Sequence, residues 1–554
     1  MTSTDDFASF RADYLAGRGR LLHTSGVADL ETPVAAYLKL AAGKPNSFLL
    51  ESVEGGASRG RYSIIGLDPD LIWRCKDGKA ELNRNSRAAP YAYQPDDRPP
   101  LDSLRALIAE SRLEVPDGLP PMCGGLVGYL GYDMVRHMER LPDANPDTLG
   151  VPEAILGRPA LFVIFDNATD SLTIAAPVYP RADTTAEAAW EATQARLADA
   201  ESALGRPLPQ AAPPVALPPM SEPASSFSKS GFMAAVDQVK DYIGAGDAFQ
   251  VVISQRFSAP FALPPFALYR ALRRINPAPF LVYLDYGGFS VVCSSPEILV
   301  RLRDNIVTIR PLAGTHRRGA THEEDERLAA ELLADPKERA EHLMLLDLGR
   351  NDVGRVSEIG TVRVTDSFAI ERFSHVMHIM SDVQGQLASG LDAVDALVAG
   401  FPAGTLSGAP KVRAMQIIDG TDCGASNPAL SFAQYVTREH ILGSQPVRCI
   451  DHRQDHRRRR RRRCRSDDGL PCAQHSRPRL YRNPSPRAGG HRPPWLRAEP
   501  HRRRPVVPPQ PNDRRHRADH RQPDVLGTDA ILYRHPIRRR LPRHAGPFRL
   551  PGRH

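Results

Sequence analysis

The sequence predicts a mixed α/β (α+β) protein in two globular parts, followed by a disordered tail. Three observations carry this. Short apolar stretches broken by Gly-rich turns run through residues 30–180; helical and period-two patterns alternate from about residue 230 to Ile418; and after residue 420 all periodicity stops. At 554 residues the chain also exceeds what one hydrophobic core serves.

In the first part, Ser47–Leu50 and Ala160–Phe165 read as strands and Gly124–Gly131 as a turn region. Thr184–Leu204 reads as an amphipathic helix, with Trp190, Leu197 and Leu204 at seven-residue spacing and Gly205 at its end. Seven prolines within 206–225 then predict an extended linker. The expected domains are therefore 1–205, a linker 206–226, a second domain 227–420 and the tail 421–554.

In the second part, Ser230 is expected to cap a helix bearing Phe232, Val236, Val239 and Ile243 on one face. A strand follows over Ala248–Phe257, with Gln250, Val252 and Ser254 on the face opposite Phe249, Val251 and Ile253. Phe280–Tyr286 and Phe289–Cys293, joined by Gly287-Gly288, read as a hairpin leading to Glu297. Thr321 with Glu324 reads as a capping box, and Asp335-Pro336 as the start of the next helix.

Charge divides the chain unevenly. Residues 421–554 hold 31 Arg, no Lys and 11 acidic residues, a net of +20, which leaves 1–420 at −12. Seven widely spaced cysteines predict a reduced, cytoplasmic setting rather than a disulfide framework. No apolar run has the length of a membrane span or a signal-peptide core. The tail contains 18 prolines, 11 histidines and the run Arg457–Arg463. Such a run binds polyanions, but it lacks the Lys and the Gly or Ser repeats of a functional basic arm, so nucleic acid is not the expected partner.

Five short stretches can carry chemistry. Glu338 and Glu341 stand three residues apart on one helix, where a cation would relieve their repulsion; Mg²⁺ commonly sits on one or two such carboxylates. Spacing alone favours a plainer reading, in which Glu338 is the N3 partner of cap Asp335 and Glu341 a solvated residue. Arg310-Pro311-Leu312-Ala313-Gly314-Thr315 reads as a turn with amides and a hydroxyl for a carboxylate. Phe401 to Lys411, with Gly404 and Thr405, is a small-residue loop running into a helix N-terminus, a place for anions. Glu297 and the pair His375 and His378 can act as general acid or base.

The order and spacing of these strings resemble the chorismate-utilising enzymes, and among them anthranilate synthase component I. The resemblance implies a fold of large β-sheets flanked by helices. It implies conversion of chorismate and ammonia, with Mg²⁺, into anthranilate and pyruvate at the entry to tryptophan biosynthesis. By motif, Glu341 resembles the Mg²⁺ ligand with Glu338 behind it, and Gly314 and Thr315 resemble substrate contacts. Glu297 resembles the general acid that protonates the departing C4 hydroxyl, while His378, Gly404 and Thr405 resemble residues lining the ring and carboxylate pocket. Gln250 stands where water-using relatives place an activating Lys, for which ammonia has no need, and Ala313 where aminodeoxychorismate synthases carry a Lys that can attack the ring; both point to anthranilate synthase. Leu49-Leu50-Glu51-Ser52 and Asn276 to Leu281 resemble the paired segments of tryptophan feedback inhibition, making Glu51, Ser52, Pro279, Phe280 and Leu281 candidates for an inhibitor pocket. No glutaminase motif is visible, so the resemblance implies a separate glutamine amidotransferase subunit as ammonia source.

The family pattern continues with a Gly-Tyr strand, a carboxylate-gripping arginine, a Gly-Ala-Gly loop and a second metal-binding glutamate. None is found after Gly420. The Arg-, Pro- and His-rich tail has the composition of a slipped reading frame in GC-rich DNA, and the chain as written is expected to be inactive or to aggregate.

Overall fold

The computed structural model describes residues 6–54, 58–116, 119–120, 122–142, 145–209, 222–421, 435–437 and 440–448. Most of the expected linker, 210–221, lies outside the described residues, as does the tail from 449 on.

Helices and strands alternate much as the periodicity predicts, and three sheets organise them. The largest, twelve strands among the described residues, runs in the order Arg20–Val27, Ser171–Val178, Leu161–Asp166, Tyr62–Leu67, Ser47–Glu51, Phe280–Asp285, Phe289–Ser295, Tyr435–Thr437, His440–Arg448, Gln250–Pro260 and Ala224–Ser225, with Gly408–Ala409 paired onto Gln250–Pro260. Strand Leu161–Asp166 shows why its sequence is apolar throughout. Leu161, Val163 and Phe165 pack toward the helices Phe7–Leu15, Pro33–Leu40 and Ala186–Leu204, while Phe162 and Ile164 face a second sheet that includes Leu71–Lys76, Ala154–Arg158 and Val127–Leu130. A strand buried on both faces loses the alternation of a half-exposed one.

The elements that carry the site are strands β1 (Ser47–Glu51), β2 (Gln250–Pro260), β3 (Phe280–Asp285), β4 (Phe289–Ser295), β5 (Leu312–Arg317) and β6 (Val376–Gln386). The helices are α1 (Pro265–Ile275), α2 (Pro336–Gly354), α3 (Ala393–Gly400), α4 (Gly404–Ser407) and α5 (Lys411–Gly420). Strands β5 and β6 belong to a third, antiparallel sheet with Arg301–Arg303, Ile306–Ile309 and Arg363–Arg372. Helix α2 packs on it through Leu346 and Val353 against Val307, Ile309 and Val383. Asp335 caps α2 by accepting from the amides of Lys337 and Glu338, as Asp-Pro predicts. On the other side of β2, Val251 and Ile253 pack against Ala414, Ile417 and Ile418 of α5 and Ala235 and Val239 of helix Lys229–Gly244.

Four local expectations change. The cap of helix Lys229–Gly244 is Ser228, whose hydroxyl accepts from Gly231, not Ser230. Thr321 caps helix His322–Ala334, but the Glu324 carboxylate accepts from Ala320 rather than Thr321, leaving the box half closed. The segment expected as a turn at 310–315 is mostly strand β5: Gly314 takes φ +66° and the register slips between Ala313 and Thr315, a bulge that only looks like a turn in sequence. Finally, disorder was expected from 421, yet Tyr435–Thr437 pairs with β4 and His440–Arg448 pairs with β2. The open backbone groups of β2 and β4 call for ladder partners whatever the side-chain pattern, so pairing overrides periodicity here.

Candidate functional site

Helix α2 is the axis of the site. Near its N-terminus Glu338 and Glu341 project toward β5 and β2. A Cβ built on Gly314 would lie 3.2 Å from Glu338 Oε2, so the absent side chain lets the carboxylate approach the bulged backbone. Gln250, first residue of β2, donates from Nε2 to Glu341 Oε1 at 3.4 Å. Its other amide atom, Oε1, is buried without a hydrogen-bond partner. Next to Gly314, Thr315 Oγ1 lies 3.1 Å from His378 Nδ1 on the paired strand β6, and the His378 ring meets Phe373 edge-on at 5.5 Å.

The opposite wall is built from the 401–410 segment. Thr405 in α4 donates its hydroxyl to Glu297 Oε2 at 2.9 Å, just past the end of β4. Gly404 sits against α2, where a Cβ would come within 2.3 Å of Leu348 Cδ2. Gly408 and Ala409 pair with Val251 and Gln250, which brings this loop to the residue that touches Glu341. Gly408 at φ +130° lies so close that a Cβ would meet the Gln250 carbonyl oxygen at 2.1 Å. Glu297, Gly404, Thr405, Pro311, Gly349 and Asp352 line one small pocket.

The predicted site residues thus form one contact chain, from Thr405 and Glu297 through the loop to Gln250 and Glu341, and along α2 to Glu338, Gly314, Thr315 and His378. His375 stands apart in the turn before β6, its Nδ1 2.9 Å from Ser374 Oγ. Among the described residues no group of three or more His, Cys, Asp or Glu side chains is arranged to hold a metal. Two carboxylates one helical turn apart, beside a buried and unpaired amide oxygen, nevertheless suit Mg²⁺, which takes one or two protein carboxylates and fills its remaining positions with water and substrate oxygens.

A second group assembles at the far side of the large sheet. Strand β1 pairs with β3 so that Glu51 faces Leu281, with Ser52 just beyond and Phe280 opposite Ser295. Glu51 is 4% exposed and fully engaged: Arg273 of α1 donates to both its oxygens at 2.7 and 2.9 Å, and Tyr269 donates at 2.6 Å.

Two buried polar pairs went unassigned in the sequence. Lys411 Nζ donates to Asp352 Oδ2 at 2.8 Å and to the Gly400 carbonyl at 3.0 Å, with both charged residues buried. Burial pushes the Lys411 ammonium down and the Asp352 carboxyl up, each opposed by the facing charge. His342, next to Glu341, has Nε2 2.6 Å from Ser381 Oγ, which also accepts from the Phe368 amide. The signal available was a charged or polar residue at a helical position otherwise apolar, such as Asp352 one turn after Leu348.

With this geometry in hand, the class follows. Residues 49–423 match the model of the chorismate binding enzymes, and the chain belongs to that family. Within it, the chain is 54% identical over 413 residues to anthranilate synthase component 1 of Cereibacter sphaeroides, covering 74% of this chain and 83% of that protein. It is 47% identical over 393 residues to the same component of Thermus thermophilus, covering 71% and 81%. In structure it resembles anthranilate synthase component I from Streptococcus pneumoniae, at 34% identity and a TM-score of 0.59 over 76% of this chain and 89% of that one. The menaquinone-specific isochorismate synthase of Escherichia coli, at 15% identity and a TM-score of 0.53 over 80% and 91%, shares the fold. No helix among the described residues is long and apolar enough to cross a membrane.

Proposed function

We propose that residues 1–421 form the body of an anthranilate synthase component I, in which chorismate and ammonia become anthranilate and pyruvate. The observation that supports this is the Gln250–Glu341 contact, because Gln250 is the position at which, by the resemblance, water-using relatives place an activating Lys. A neutral amide cannot deprotonate water, whereas ammonia adds at C2 of the ring unaided. Glu297 protonates the departing C4 hydroxyl, which leaves as water. The Thr405 hydroxyl holds one oxygen of that carboxyl and so orients the other. Glu341 would hold Mg²⁺, with Glu338 supporting it from behind, and the ion's charge would offset that of a substrate carboxylate. Gly314, Thr315, His378 and Gly404 line the ring and carboxylate side.

In the same reading, ammonia comes from a glutamine amidotransferase partner, the setting is cytoplasmic, and L-tryptophan inhibits through Glu51, Ser52, Pro279, Phe280 and Leu281. The domains divide at the 206–226 linker into a regulatory and a catalytic region.

The test is ligand binding by a chimera whose segment after Thr421 comes from the Cereibacter protein. Chorismate with Mg²⁺ is expected to raise its melting temperature, and Glu341→Gln to remove the Mg²⁺-dependent part of the rise. A rise of equal size without Mg²⁺, or with Glu341→Gln, contradicts the assignment.

A second point concerns the tail. The family match ends at 423, and the Arg-rich stretch follows from Arg438 on. The chain as written is therefore expected to lack the remaining share of the site. A chimera that replaces everything after Thr421 with the matching C-terminal segment of the Cereibacter protein is expected to supply it.

A further inference from the structure

The 400–411 segment is held at both ends by one side chain. Gly400 ends helix α3, and its carbonyl is one of those left over at a helix C-terminus. Lys411 begins α5, eleven residues on in the chain, and its ammonium donates both to that carbonyl and to Asp352 on α2. Between these ends the chain makes one short helix, pairs Gly408–Ala409 with β2, and presents Thr405 to Glu297. Asp352 sits one turn beyond Leu348, the residue against which Gly404 rests. The ion pair and the Gly404 contact therefore seat the same loop on the same face of α2.

A buried ion pair is an expensive way to gain stability. Removing both charges in favour of apolar groups of similar size is commonly neutral or better, while removing one strands the other. Stability alone gives no reason to place this pair at the loop rather than in the apolar core of α2.

We propose that Lys411 and Asp352 are positioning residues: their ion pair, with the Gly400 carbonyl, closes the 400–411 segment onto α2 and so holds the Thr405 hydroxyl at the Glu297 carboxyl. This rests on the reading of Glu297 as the acid, and neither residue touches substrate in it.

The experiment is hydrogen exchange on the full chain, comparing amides of 401–409 with those of α2, alongside urea unfolding. In Lys411→Met, exchange over 401–409 is expected to quicken about tenfold or more relative to α2. In the double variant Lys411→Met, Asp352→Leu, the unfolding midpoint is expected to recover while 401–409 stays fast, because Gly400 still lacks its donor. The proposal is overturned if the double variant regains wild-type protection over 401–409, since the pair would then only balance charge. It is also overturned if the single variant shows no local quickening. Should the single variant not fold, the double variant decides. Failure of the underlying reading looks different: Thr405→Val in the chimera would leave turnover unchanged while the exchange pattern stood.

Discussion

The hydroxyl of Thr405 donates to the carboxyl of Glu297 at 2.9 Å, across 108 residues of chain. A strand end and a small-residue loop far apart in the sequence meet there. In the chimera, Glu297→Gln is expected to lower kcat by roughly 10²–10⁴, the usual worth of a general acid. Thr405→Val removes only the orienting bond and is expected to cost less, with the loss in kcat rather than KM. Steady-state kinetics with ammonium as nitrogen source checks both; an unchanged kcat in Glu297→Gln removes it from the acid role.

The metal assignment predicts unequal effects. Glu341→Gln is expected to abolish Mg²⁺ dependence along with activity, whereas Glu338→Gln, behind it and against Gly314, is expected to raise the Mg²⁺ concentration needed while leaving measurable turnover. Titrating activity against Mg²⁺ in both variants separates the roles. Equal loss in the two would make them joint ligands.

Gly408→Ala tests how tightly the loop is seated. Its φ of +130° and the 2.1 Å approach of a Cβ to the Gln250 carbonyl leave no room for a side chain, and backbone cannot swing aside as a flexible side chain can. A loss of about 2–4 kcal/mol is expected from urea unfolding. Gly404→Ala meets the flexible end of Leu348 instead and is expected to cost less, about 1–3 kcal/mol.

His342 predicts a pH dependence of stability. Burial pushes its imidazole from the ordinary 6.5 down to about 4. Between these values the unfolded chain binds the proton and the folded chain does not, so this contribution is complete above about pH 6.5 and is lost as pH falls toward 4. Urea midpoints measured across that window are expected to fall more steeply for the wild-type chain than for His342→Gln. Parallel profiles would show that His342 does not titrate there.

Much of this was legible in the sequence because the signals are local. Asp335-Pro336 marks the start of α2, and the Gly287-Gly288 hairpin follows from turn chemistry alone. The strings around Glu297, Gly314, Glu341 and Thr405 could be named as candidates, but their meeting could not be derived from spacing; the resemblance to a known family carried it. Two features were hidden for physical reasons. The bulge at Gly314 has the composition of a turn, and only pairing with β6 makes it a strand. The pairing at 440–448 depends on open strands nearly 200 residues earlier in the chain, a demand no local pattern records. The Lys411–Asp352 pair was concealed because its two charges lie on different helices 59 residues apart, so that even where Asp352 stands out its partner does not follow from local spacing.

The most direct test of the account is anthranilate fluorescence from purified protein given chorismate, Mg²⁺ and ammonium salt, run on the full chain and on the chimera in parallel. Anthranilate from the chimera, none from the full chain, and loss of the signal in the Glu297→Gln chimera is the predicted result. Turnover by the full chain itself would contradict the account of the tail. A folded chimera that makes isochorismate or salicylate, or leaves chorismate untouched, would contradict the assignment of the site.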